Sequence, residues 1–312
     1  MLKKLLVPAL FLSVFISTAV YAQTPVPADT TKSWSYNGTT TLNFSQIGLR
    51  NWAAGGQNTL SLLGLVNLQA HYNKEKHAWA NILEAGYGMQ RQGESDAPMR
   101  KSDDRLMFLG KYTRKNVIGP IGLVGLLDFR TQFTEGYNYP LDSATNQELP
   151  RVKISDFMAP GYLTTSLGFE YRRGESFYIV IAPVSSKFTF VLDDSLSAQG
   201  AYGVEKGENM RTEFGATLNT MLQKDIWENV NLQTRVNLFS SYDKPTSIDV
   251  NWETLLAFKV NRYITTNIST TLIYDEDITV LRNDGTSGRA TQFRYVLALG
   301  IGYKFGVVNG KN

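Results

Sequence analysis

The stretch QFRYVLALGIGYKF, residues 292–305, divides cleanly by parity. Phe293, Tyr295, Leu297, Leu299, Ile301, Tyr303 and Phe305 take one set, and Gln292, Arg294, Val296, Ala298, Gly300, Gly302 and Lys304 the other. Period two is a β-strand with one apolar face and one mixed face. In a soluble sandwich the aromatic face is buried, whereas in a membrane barrel the same face meets lipid. A single strand does not choose between them. The choice rests on how the pattern recurs.

It recurs along nearly the whole chain. Alternation predicts strands at approximately 37–49, 57–72, 78–90, 105–114, 121–133, 161–172, 176–191, 208–224, 229–242, 247–260, 263–275 and 290–305, with almost nothing of helical period. Pro183 interrupts the seventh, which leaves its outward parity open and points to an edge or a bulge. The connections after the second, fourth, sixth, eighth and tenth strands are short; 91–104, 134–160, 192–207 and 276–289 are long, while 50–56 is intermediate and 243–246 breaks the pattern by being short. Short turns at one end, long loops at the other and an even strand number are the arrangement of an outer-membrane barrel. Tyr72, Trp79, Tyr112, Tyr171, Trp227, Tyr263, Tyr303 and Phe305 fall at the short-turn ends. Tyr87, Phe133, Tyr242, Tyr274, Phe293 and Tyr295 fall near the long loops. Two aromatic belts around aliphatic middles match interfacial girdles. The expected fold is therefore all-β: a transmembrane antiparallel up-and-down barrel of about twelve strands, with the Phe293–Phe305 face toward lipid.

The N-terminus agrees with that destination. Lys3 and Lys4 precede the apolar run LLVPALFLSVFISTAV, and VYA places small or apolar residues before Gln23. This reads as a secretory signal peptide, residues 1–22, cleaved after Ala22. Residues 23–35 read as a flexible periplasmic leader, 36–305 as the barrel and 306–312 as a C-terminal tail. The chain has no cysteine, which excludes a disulfide-stapled secreted fold. Without Lys3 and Lys4 the balance is 29 basic to 28 acidic residues, so no nucleic-acid footprint is expected.

NFSQIGLRNWAAGGQNTLSLLGLVNL, RKSDDRL, TQFTEGYNYP, VSSKFTFVLDD and IDVNWETLLAFKVNRYITTNISTTLIYD together resemble an uncharacterised outer-membrane β-barrel family of the Bacteroidota. The resemblance implies the fold and the outer membrane of a Gram-negative bacterium. It supplies no activity, ligand or catalytic residue. The chain departs from the usual outer-membrane ending, because GVVNGKN follows Phe305 where a terminal aromatic ordinarily closes the last strand.

The polar parity is the candidate lumen: Glu84, Arg105, Lys111, Asp128, Arg130, Glu170, Arg211, Glu213, Arg235, Asp249, Glu253, Lys259 and Arg294, with Asp275 and Lys304. So balanced a set reads either as cross-strand ion pairs filling a narrow barrel or as a weakly selective lining with opposed charged walls. Catalysis is not expected. His71 and His77 are the only histidines and read as interfacial residues, and no GxSxG, Walker or HExxH motif occurs. No cofactor is expected. Acidic loop stretches, including Asp275, Glu276, Asp277 and Asp284, offer oxygen ligands without the spacing of a calcium loop, so solvated charge is the default. RNWAAGGQN reads as a glycine turn. Tyr137, Tyr139 and Pro140 lie in the longest loop and mark a constriction or a binding surface.

Two functional readings stand side by side. One is a narrow passive channel for small solutes. The other is a structural or surface-interaction barrel with a plugged lumen, whose loops bind a partner, lipid or glycan. A hydrophobic-substrate transporter or membrane enzyme is a more remote third. The expected partners are outer-membrane lipid and, during biogenesis, the barrel-assembly machinery.

Overall fold

The computed structural model describes residues 33–48, 57–93, 96–140, 142, 145, 147–174, 176–261, 264–278, 280–281 and 287–307. The signal peptide, the leader up to residue 32, most of RNWAAGGQN, Tyr263, Asp284 and the tail beyond Val307 lie outside the described residues.

Strands β1 (Trp34–Ile47), β2 (Thr59–Lys74), β3 (His77–Gln92), β4 (Arg100–Ile118) and β5 (Ile121–Thr131) form one antiparallel run. A loop ribbon, β6 (Gly136–Asn138) with β7 (Val152–Ser155), precedes β8 (Gly161–Arg173) and β9 (Phe177–Phe190). A short helix, α1 (Asp194–Gln199), and a 3-10 turn lead into β10 (Met210–Trp227), β11 (Val230–Ser241), β12 (Ile248–Lys259) and β13 (Ile264–Tyr274). A small ribbon, β14 (Val280–Leu281) with β15 (Ser287–Gly288), then precedes β16 (Gln292–Val307). Twelve of these strands close in the order β1-β16-β13-β12-β11-β10-β9-β8-β5-β4-β3-β2. Each pairs with its sequence neighbour in the barrel, and β16 returns to β1. Closure leaves no open sheet edge, which is what lets a sheet satisfy its backbone in lipid.

The outer face is apolar. On β16, Tyr295, Leu297 and Ile301 are 73%, 69% and 71% exposed, while Gly300 beside them is buried. The aromatic belts point outward as well: Trp79, Tyr112, Tyr171 and Trp227 at one end, Tyr87, Phe133, Tyr242 and Phe293 at the other. This is the outer surface of a transmembrane barrel.

Every expected strand is present, with boundaries moved by a few residues: β1 begins at Trp34, inside the expected leader, and β16 runs to Val307, into the expected tail. Three further differences stand out. β4 begins at Arg100 and runs to Ile118, longer at both ends than its apolar alternation reaches, because ladder pairing to β3 continues through Lys101 and Asp103. His77 opens β3 rather than sitting in the turn, and its Nδ1 lies 2.6 Å from the Tyr112 hydroxyl. α1 is an element that a search for helical period passes over, being too short to show a face. Its ends are nonetheless written in the sequence: Asp193 accepts from the Leu196 amide as N-cap, and Gly200 closes it in the left-handed region at φ 72°.

Pro183 marks a bulge. Pairing shifts there toward both β8 and β10, so Tyr178, Val180 and Ala182 point inward before it, and Ser185, Lys187 and Thr189 after it. The outward parity is thus one set on each side of the proline. One glycine gives the extra residue room: a Cβ on Gly168 would lie 2.2 Å from the Ile181 carbonyl oxygen. Gly215 lets β10 approach β11 instead, since a Cβ there would lie 2.0 Å from the Ser240 carbonyl oxygen.

Candidate functional site: a lumen dry on one side and wetted on the other

The inward parity does not make a uniform lining. On β4, β5, β8, β9 and β10 the inward residues Met107, Leu109, Val124, Leu126, Ser166, Val180, Ala182, Thr217 and Asn219 are buried. Val124, Tyr178, Val180 and Ala182 form an apolar cluster, joined by Met221. That half of the lumen is a packed core. On β12, β13, β16, β1 and β2 the inward residues are mostly half-exposed: Asn251, Ala257, Thr265, Asn267, Ser269, Thr271, Ala298, Thr41, Thr39, Asn67 and Gln69. Most of these are short or neutral and polar, but Leu63, Leu65, Leu255, Ile273 and Val296 share the same inward parity, and Asn43 is buried. This side of the interior is thus more open than the packed side and lined by a mixture of hydroxyls, amides and aliphatic side chains.

Charges mark the border between the halves. At mid-height Arg130 makes a forked contact with Asp128, Nε to Oδ1 at 2.8 Å and Nη2 to Oδ2 at 3.0 Å. Its third nitrogen reaches Glu253 on β12 at 3.3 Å, five places away around the barrel. Arg235 on β11 approaches Glu253 at 3.9 Å and Glu84 at 4.0 Å, and β3, which carries Glu84, is the wall directly opposite. Asn67 donates to Glu84 at 2.9 Å. The knot so formed spans the lumen. Within it Glu253 and Glu84 keep 30% and 23% of their side chains exposed, against 7% for Arg235, so the acids face the wetted side.

A second knot closes the extracellular end of the dry half. Lys187 Nζ lies 2.5 Å from Asp249, 3.1 Å from Asp275 and 3.8 Å from Glu213. Arg211 binds Glu213 at 2.7 Å and Asp277 at 3.1 Å. Near the short-turn end, Lys111 donates to Glu170 at 2.6 Å, Thr113 donates to the same carboxylate at 2.5 Å, and Arg172 approaches it at 3.2 Å. Lys111 also sits 3.6 Å from the centre of the Tyr178 ring. Paired and hydrogen-bonded in this way, buried charges avoid the cost of isolation.

The remaining expected lumen residues separate. Arg294 reaches Asp103 on β4 at 2.9 Å and keeps 42% exposure. Lys259 is exposed at the short-turn rim. Arg105 is inward and half-exposed, and among the described residues no carboxylate lies within ion-pair distance of it. Sequence reasoning missed the neutral wall, because Thr, Ser and Asn carry no motif. It also missed the in-register row Asn219, Asn237 and Asn251, whose buried Oδ1 atoms have no hydrogen-bond partner among the described residues.

Tyr137, Tyr139 and Pro140 make their contacts within the loop system. Tyr137 donates to Glu135 and lies under the Arg151 guanidinium. Tyr139 stacks with Arg100 at 4.0 Å, and the Pro140 carbonyl accepts from Leu149. The loop folds against its neighbour around Lys153, which binds Asp156, Asp193 and Glu135 at 2.5, 2.7 and 3.1 Å. Hydrogen bonds from Lys153 and Ser195 hold the Asp193 carboxyl down at about 2. Under this hub Ala159, Val191, Leu196 and Val204 form a small core against Tyr202. Burial pushes the Tyr202 phenol up to about 12. The two loops form a cap, and Gly203 within it accepts from Arg211 at 3.2 Å. Among the described residues no three metal-ligating side chains converge; Asp275 and Asp277 serve the Lys187 and Arg211 pairs, and Glu276 binds Arg289.

At the long-loop rim, Gln46, Asn58, Thr59, Leu60 and Arg91 line a hollow of about 260 Å³, and Gln46, Leu60 and Arg91 share the outward parity of Phe44 and Leu62.

Residues 44–137 match the model of a family described as a protein of unknown function, DUF3078. No curated protein matches the chain. Among solved structures, the chain is similar to the COG4313 outer membrane channel from Pseudomonas putida F1, at 10% identity and a TM-score of 0.39, over 90% of this chain and 99% of that one. The translocator domain of the autotransporter NalP from Neisseria meningitidis aligns at 9% identity and a TM-score of 0.36, over 88% and 89%. The outer membrane channel DcaP of Acinetobacter baumannii aligns at 6% identity and a TM-score of 0.30, over 88% and 96%.

Proposed function

We propose that this chain is an outer-membrane barrel that conducts small hydrophilic solutes along one side of its lumen. The observation that carries the reading is the division of the interior into a packed half and a more open half lined by hydroxyls, amides and aliphatic side chains. A filled barrel with a purely structural lumen has no need of that division. The path is narrow, because the Arg130–Glu253 and Arg235–Glu84 contacts occupy the centre, and twelve strands enclose less space than the larger porins. The ion pairs thus have a structural role in the dry half and bound the path with their acids. The test is swelling of liposomes carrying the refolded barrel, with neutral sugars of graded size. Swelling with a cut-off at small sugars supports the reading, and no swelling from verified folded protein removes it.

A second reading has its own observation. The cap displays Val152, Ile154 and Phe157, all exposed, on a ribbon held by Lys153, so a surface-binding role for loops 134–160 and 192–207 is the alternative. Deleting 134–160 discriminates the two: partner capture disappears under the second, and sugar entry persists under the first.

A further inference from the structure

Among the described residues, the fold neutralises most of its interior cations, and the exception away from the rim is Arg105. Lys111, Arg130, Lys187, Arg211, Arg235 and Arg294 each lie within 4.0 Å of a carboxylate. Arg105, inward on β4, has none among the described residues. An uncompensated interior cation is costly unless water or a ligand compensates it. Its position explains why it can stay unpaired. Arg105 stands opposite Gly86, and a Cβ on Gly86 would meet Arg105 Nε at 3.1 Å, Arg105 Cγ at 3.3 Å and Leu65 Cδ2 at 2.9 Å. The side chain therefore lies across the bare backbone of β3, leaning from the dry half toward the wetted one. Glu84, on the same face of β3, is taken by Asn67 and Arg235.

Arg105 also has company. Asp103, two residues along the same face, draws Arg294 from β16 across the lumen. A solute entering from the long-loop end passes the Arg294 and Arg105 guanidinium groups before it reaches the acids Glu84 and Glu253.

We propose that Arg105 is a docking site for the carboxylate of a small solute in the outer half of the lumen. The inference rests on the channel reading and narrows its substrate class to small organic acids, sugar acids among them. A planar guanidinium fork presents two parallel donors to a carboxylate, and the glycine beneath it keeps that fork accessible. No bond is made or broken; the interaction is reversible and weak, as passage requires.

The test is a calorimetric titration of the full-length, detergent-folded barrel with gluconate, for the wild type, Arg105→Gln and Arg105→Lys. Glucose swelling of liposomes, run on the same preparations, reports the channel reading separately. The expected result is gluconate binding by the wild type, a loss of roughly tenfold or more in Arg105→Gln as fits removal of a charge-assisted fork, and partial retention in Arg105→Lys. Glucose entry, read on each preparation, reports the channel reading whatever the gluconate result. Equal gluconate affinity in wild type and Arg105→Gln, or none in the wild type, overturns the proposal whether or not glucose enters. Inorganic phosphate is titrated in parallel, and binding of phosphate without gluconate overturns the carboxylate assignment.

Discussion

Replacing Glu170 by Gln isolates the energetics of the dry half. The carboxylate is 1% exposed and takes three donors: Lys111, Thr113 and Arg172. Glutamine keeps the shape and an oxygen to accept from Lys111, but removes the charge that compensates it; Lys111 is itself only 4% exposed and otherwise has the Tyr178 ring as a favourable contact. Breaking one side of a buried pair costs about 3–5 kcal/mol, and a cation over an aromatic ring returns about 1–2 kcal/mol of that. The net expectation is a loss of about 2–4 kcal/mol. At a urea m-value of about 3 kcal/mol/M, the unfolding midpoint moves down by about 1 M, read by tryptophan fluorescence on barrel refolded in vesicles. The double variant Glu170→Leu with Lys111→Met recovers most of the loss, because replacing both partners by apolar groups is often neutral or stabilising. A midpoint for Glu170→Gln within about 0.2 M of the wild type, or a double variant no better than the single, refutes the reasoning that this pair is a desolvated, mutually dependent unit.

Other outcomes follow from particular contacts. Gly168→Ala drives a methyl into the Ile181 carbonyl oxygen beside the Pro183 bulge, and Gly215→Ala drives one into the Ser240 carbonyl oxygen of β11. Both should cost about 2 kcal/mol or more, seen as reduced refolding yield, and wild-type yields would show that the strands are not held this tightly there. Leu297→Arg places a charge on the lipid face and should cost about 2–4 kcal/mol in the same unfolding assay, whereas the inward Val296→Asn should be nearly neutral; equal costs would reverse the assigned faces. The Asp193 carboxyl, held at about 2, links the cap to pH. A depressed carboxyl adds stability that is complete above its unfolded value near 4 and is lost as pH falls toward 2. Amide exchange at Leu196 should therefore quicken between pH 4 and pH 2 beyond its intrinsic rate, and Asp193→Asn should remove that extra step; an unchanged profile in the variant contradicts the role.

The barrel was legible because parity is a physical record of two environments, lipid and interior, repeated in every strand. Phe293, Leu297 and Trp252 point outward as their alternation requires. Parity does not record how far a side chain reaches. Nothing in the spacing of Glu84 and Arg235 says that they meet, since that depends on β3 and β11 falling on opposite walls after closure. The dry half was hidden for the same reason: Val124, Leu126, Val180 and Ala182 share the inward parity with Asp128 and Glu170, and only packing separates core from lining. Arg105 looked like one lumen charge among many, and its lack of a partner exists only in three dimensions. The cap escaped a search for periodicity because α1 and the β6–β7 ribbon are too short to have a period.

The central claim is that water follows one side of the lumen and not the other. The chain has no cysteine, so single cysteines can be placed without background at Thr41, Asn267 and Ser269 on the wetted wall, and at Leu126, Val180 and Ala182 on the dry one. Their reaction with a small membrane-impermeant thiol reagent, in barrel embedded in vesicles, is the most direct measurement. Rapid labelling of the first three and protection of the second three until urea unfolds the protein is the predicted result. Equal labelling of both sets, or protection of both, contradicts a one-sided aqueous path.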